Sequence, residues 1–191
     1  MIRFFEDYCN QLFPSIDTEI KNAIRDEVSK INMTNSTWFM FRLLEELSQG
    51  DILDRIPFTI MQDDGSQKTF IAKGMVLSNT CDLQRDPYII IAPIFNIEDG
   101  EFSEQQKIDL KDNIFSGKMG FKNSCLDNYF VDFSKSMSFN RNVILKGIEM
   151  NKIHREQSLS QLACYMLYIK ITIYYMRIEN HEWFKSRDKG V

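Results

Sequence analysis

The chain has 191 residues, of which 43% are hydrophobic and 26% charged, with fifteen Phe and seven Tyr. That composition excludes wholesale disorder and fits one domain with a helical elaboration. The formal net charge of −4 gives no global basic field, so any contact with nucleic acid would have to be local.

Taken in chain order, the first fifty residues read as helical. MIRFFEDYCNQLF lacks the basic start, apolar run and small-residue cleavage site of a secretory signal, so a cytoplasmic location is expected. A helix over this segment would end before Pro14. The next carries Ile16, Ile20, Ile24, Val28 and Ile31 on one stripe. Ser15, with Thr18 and Glu19, supplies a start signal short of a strict capping box. A third helix is expected from Thr37 to Leu47, stopped at Gly50.

The character changes at Asp51. DILDRIPFTI alternates in part and carries Pro57, the mark of an edge-type strand. Asp63-Asp64-Gly65 is a hairpin turn signal, and TFIAKGMVLSN follows as a strand. Asn79 to Asp86 reads as a polar loop. Tyr88 to Phe95 is a β-branched run, expected as a strand buried on both faces. Asp99-Gly100 marks a turn, Phe102 to Phe115 contains a short helix, and Asn128 to Phe139 returns to strand. From Ile144 to Phe184 the chain reads as one long helical segment. Leu162 to Ile178 is its most apolar part, too short for a bilayer and interrupted by Lys170, hence a core helix. Because its apolar residues lie on nearly every side, it would be sandwiched, or would pair with a second subunit. Residues 146–191 carry a net +3 against −4 for residues 51–145, which favours internal docking or a partner. The expected fold is α+β, a single domain over 1–191: helices over 1–49, a small β-barrel or curled sheet over 50–143, and a helical segment over 144–191.

Three sequence blocks carry a resemblance: Gly50-Asp51-Ile52-Leu53, then Gly74-Met75-Val76-Leu77-Ser78-Asn79, then Tyr88-Ile89-Ile90-Ile91-Ala92-Pro93-Ile94. Their order resembles the MazF/PemK/Kid toxins, whose strands read GD(I/V), PVLVVSN and (I/V)IVAPI; Tyr129 to Asn140 would stand for the later strand pair. The likeness spans about 90 of the 191 residues and implies an SH3-like barrel. LSNTCDL is also similar to the LSxxCD signature of bacterial proteins in which such a barrel precedes a long C-terminal helix. The toxins cut single-stranded RNA without metal, through an Arg before the second strand and a Thr or Ser ending the third. By position these fall on Ala72, with Lys73 beside it, and on Phe95. A lysine can neutralise phosphate but lacks the bidentate fork of arginine.

Two polar clusters stand out. Ser78-Asn79-Thr80-Cys81-Asp82 closes a buried strand. It reads either as a site, with Asn79, Thr80 and Cys81 touching a ligand and Asp82 acting in acid–base work, or as a turn built on Asx hydrogen bonds. A cysteine nucleophile wants a histidine, and only His154 and His181 exist. Asp132, Ser134 and Lys135 form the second cluster, a solvated strand face or an anion site in which Lys135 and Arg141 join Lys73. The four cysteines contain no CxxC pair, and no P-loop, GxGxxG or HExxH motif occurs, so no metal or cofactor is expected. The resemblance, with its catalytic positions unmatched, implies a non-catalytic or degenerate barrel that binds a protein partner or RNA, or a second copy through its C-terminal helix, in a bacterial defence or toxin–antitoxin-like setting. The alternatives are a divergent endoribonuclease using Lys73 and Asp82, with single-stranded RNA as partner, and a homo-oligomeric ligand sensor. No membrane association is expected.

Overall fold

The computed structural model describes residues 38–176, and the two expected helices before Pro14 and from Ser15 lie outside them. The described chain is α+β. Its strands are β1 (Ile52–Met61), β2 (Gln67–Val76), β3 (Tyr88–Asn96), β4 (Lys118–Gly120), β5 (Tyr129–Asp132), β6 (Met137–Asn140) and β7 (His154–Gln157). Four helices accompany them: α1 (Thr80–Leu83), α2 (Glu104–Lys111), α3 (Arg141–Glu149) and α4 (Gln161–Met176). The strands make one antiparallel sheet in the order β4-β5-β3-β2-β1-β7, with β6 also on β3 beside β5.

The Asp63-Asp64-Gly65 turn joins β1 to β2 as expected, with Gly65 at φ +81° and Asp64 accepting the amide of Ser66. β1 pairs β2 along its length but meets β7 only at Ile52–Asp54. Pro57, lacking an N–H, therefore sits on a stretch with one laddered neighbour, which is where proline is tolerated. Between Leu53 and Ile56 the register slips, and Arg55 takes φ +65°. Such a bulge bends the strand. The bend shows downstream: the Thr59 amide donates to Met137 Sδ at 3.2 Å, and the Phe58 and Phe139 rings meet edge to face at 5.6 Å. Two strands separate β1 from β6 in the sheet, and laddered neighbours lie about 4.8 Å apart. The sheet therefore curls until these strands touch through side chains. It is not closed: no hydrogen-bonded ladder joins its ends among the described residues.

Both faces are covered. On one, Ile52, Met75, Ala92, Ile94 and Val131 pack with Ala163, Met166 and Leu167 of α4. On the other, Leu53, Phe58, Val76, Ile89 and Ile91 pack with Leu83 of α1 and Ile144 of α3. A smaller cluster of Ile97, Leu110 and Phe130 seats α2, whose Ser103 and Gln106 form a reciprocal capping box. Gly74 makes the second face compact. A Cβ there would stand 2.6 Å from Ile91 Cγ2 and 3.0 Å from the Phe58 ring.

The expected third helix, Thr37 to Leu47, is absent from its described part. Phe39 bridges to Leu159, Met40 N–H donates to the Ser158 carbonyl and Ser160 N–H to that of Trp38. The Arg155 guanidinium takes the carbonyls of Leu44, Glu45 and Glu46, so tertiary partners replace a helical ladder. The expected single helix from Ile144 is likewise two, α3 and α4, with β7 inserted between them, and residues beyond Met176 lie outside the described part. Asn151 at φ +55° ends the turn after α3, and β7 then pairs with β1. The expected strand over Asn128–Phe139 is broken into β5 and β6 by a 3-10 turn at Phe133–Lys135. Tyr88 and Ile90 of β3 are exposed, so burial on both faces holds only for Ile91–Ile94.

Candidate functional site

The first polar cluster forms the corner between β2 and β3. Asn79 caps α1 by accepting the Cys81 amide at 2.9 Å, as an Asx turn does. Thr80 Oγ1 accepts the Gln49 amide at 3.1 Å, while the Gln49 side chain donates to the Leu77 carbonyl. Asp82 pairs with Arg85 at 3.2 Å on an exposed turn. Cys81 is exposed, and among the described residues no hydrogen bond joins it to a histidine. Arg141 reaches the same corner: its guanidinium donates to the carbonyls of Leu83 and Gln84, at the end of α1. The corner is thus tied into the fold through Asn79, Thr80 and Arg141, leaving Cys81 and the Asp82–Arg85 pair outward.

Lys73 belongs to a different group. Its ammonium lies 2.5 Å from both carboxylate oxygens of Glu156 on β7 and 3.7 Å from Asp54 on β1. Asp54 also faces Arg55 at 3.9 Å, so two cations meet two carboxylates and the group has no surplus positive charge to offer a phosphate.

The second cluster centres on Asp132, 3% exposed at the end of β5. It accepts the Ser134 amide and hydroxyl on one oxygen; Lys118 at 3.0 Å and Lys135 at 3.6 Å approach the other. Burial pushes this carboxyl up, but the Ser134 hydrogen bonds and the Lys118 ammonium outweigh it and hold it below the usual carboxylate range. Lys135 also lies 4.8 Å over the Phe95 ring and Lys118 lies 5.5 Å from that of Phe130. Of the expected anion trio, Lys73 pairs with Glu156 and Asp54, Lys135 with Asp132, and Arg141 with the carbonyls of Leu83 and Gln84. The lysine that accompanies Lys135 is Lys118.

Three features were not singled out from the sequence as sites. Asp51, wholly buried, accepts from Ser48, Ser158 and Arg155. Lys170 is buried in α4. The Met40–Leu44 segment, anchored as described, turns apolar side chains outward, with Phe41 98% exposed. The signal for this segment was its density of apolar residues, from Trp38 to Leu44 interrupted only by Arg42. Among the described residues no group of three His, Cys, Asp or Glu side chains is placed to hold a metal ion. None of the described helices is long and apolar enough to cross a membrane.

No protein-family model matches the chain, and no curated protein sequence matches it.

Proposed function

We propose that this chain is a binding module that acts through a protein partner, on an SH3-like curled sheet akin to that of the MazF/PemK/Kid toxins, in a bacterial cytoplasmic defence or toxin–antitoxin setting. The observation that carries the partner reading is the Met40–Leu44 segment. Its backbone is fixed by Ser158 and Arg155, yet Met40, Phe41, Leu43 and Leu44 remain exposed. Apolar anchors held in place before binding lose little entropy on association, which is the physics of an interface hot spot. The toxin family's nuclease positions, on Ala72 and Phe95 here, carry no acid–base group. Neighbouring Lys73 is held by Glu156 and Asp54.

The test is incubation of the purified protein with mixed single-stranded RNA, with and without chelator. The RNA stays intact on this reading. Cleavage that disappears in Asp82→Ala and Lys73→Ala variants would replace it with the endoribonuclease reading.

A further inference from the structure

The sheet's outer edges are closed in three places. Along β1 beyond Asp54, Pro57 has no N–H, and the Thr59 amide is taken by Met137 Sδ. At β4 the Asn113 side chain takes the amide and carbonyl of Gly120. Beside β7 the Trp38–Met40 stretch bonds to Ser158 and Ser160. The outer half of β2 differs. Its ladder to β3 covers only Lys73 to Val76, while its ladder to β1 runs on to Gln67. Val76 bonds to Gly50 and Asp51 on the β1 side, and Leu77 N–H donates to Ile90 of β3. Main-chain direction alternates along a strand, so Gln67, Thr69 and Ile71 turn their N–H and C=O groups away from β1. Thr59, opposite Thr69, shows the same alternation: its amide leaves the β1–β2 ladder for Met137. No described strand pairs with Gln67–Ile71 on that side. All three residues are exposed, Ile71 by 72%.

We propose that the Gln67–Ile71 edge of β2 takes up an extended acidic segment of another protein as an added strand. An unpaired edge is a template for such pairing: main-chain hydrogen bonds give affinity, and alternate side chains give selectivity. Charge chooses the occupant. Lys68 shares the face of Phe70 and makes no ion pair among the described residues. The Phe70 ring lies 5.7 Å from that of Phe95, over which Lys135 stands at 4.8 Å. Phe130 continues the row at 6.0 Å, with Lys118 beside it. Lys118 and Lys135 share one carboxylate, that of Asp132. Three lysines thus meet one aspartate along this aromatic row. The hairpin's own carboxylates, Asp63 and Asp64, lie in the turn beyond Gln67. An added strand with acidic side chains on the Phe70 side and an apolar one beside Ile71 complements the edge. A second copy brings Lys68 again and does not. The inference goes beyond the Met40–Leu44 reading, for β1 separates β2 from β7, where that segment is anchored.

The test is a titration of the whole chain, followed by 15N–1H spectra, with a short acetylated and amidated peptide of alternating Glu and Val at up to millimolar concentration. Its Lys–Val counterpart is the control. The amides of Thr69 and Ile71 are expected to shift with the Glu–Val peptide and to stay in place with the control. Ile71→Pro removes an outward donor opposite Pro57 and leaves the β1 ladder its bonds; it is expected to weaken the peptide about tenfold. Lys68→Glu, on an exposed side chain, is expected to weaken it and to admit the Lys–Val peptide. Unmoved Thr69 and Ile71 amides, equal binding of both peptides, or binding unchanged in both variants would overturn the proposal. So would edge amides that shift with protein concentration alone as the solution mass doubles, since the occupant is then a second copy.

Discussion

Arg155 on β7 meets Asp51 at 2.8 Å, and this pair fastens the Leu44–Asp51 segment to the edge of the sheet. Asp51 has no exposure and also accepts from Ser48 and Ser158; the same Arg155 Nη2 also donates to the carbonyls of Leu44 and Glu46, and Nη1 to that of Glu45. Removing one member of such a pair leaves an uncompensated buried charge. Arg155→Ala is expected to cost about 3–5 kcal/mol, read as a lower urea midpoint at unchanged slope. Arg155→Lys should recover little, since an ammonium cannot span a carboxylate and three carbonyls.

Asp132 sets an acid limit. Its folded carboxyl lies below the ordinary value of 3.8, so its stabilisation is present above that value and is lost as pH falls through the folded one. Urea midpoints measured from pH 6 down to 2.5 should therefore fall less steeply in Asp132→Asn than in the wild type. At pH 7 the same variant should lose about 1–3 kcal/mol, because Lys118 is left beside a neutral amide.

Gly74 is a packing position. A methyl group there meets Ile91 and Phe58 within the buried second face. Gly74→Ala should cost about 1–3 kcal/mol in thermal or urea denaturation.

Phe41 contrasts with these. Its ring is 98% exposed and belongs to none of the core clusters of the described residues, so Phe41→Ala should leave stability within about 0.5 kcal/mol of the wild type by urea titration.

The middle of the chain was the legible part. Period-two patterning and the Asp-Asp-Gly turn located β1 and β2, and the β-branched run located β3, because strand signals there are local. The Asn79 cap was legible for the same reason: an Asx turn needs only its own next residues. The errors fell where tertiary partners decide. Trp38–Leu47 has helical composition, yet Ser158 and Arg155, more than a hundred positions away, satisfy its backbone. β7 hid inside a charged stretch, His154-Arg155-Glu156-Gln157, that has no apolar alternation and is a strand only because β1 offers an edge. Lys73, Lys135 and Arg141 looked like one anion site because sequence shows charges without their counter-charges. Glu156, Asp132 and the α1 carbonyls are those partners.

Docking of another protein on the anchored Met40–Leu44 segment is what we propose. It is tested most directly by a photo-crosslinking amino acid placed at Phe41, with a second at Asp64 in the exposed β1–β2 turn as control, in cells that produce the protein naturally. One discrete protein adduct is expected from position 41 and none from position 64. The absence of any adduct at position 41, or the same diffuse set of adducts from both positions, would contradict it.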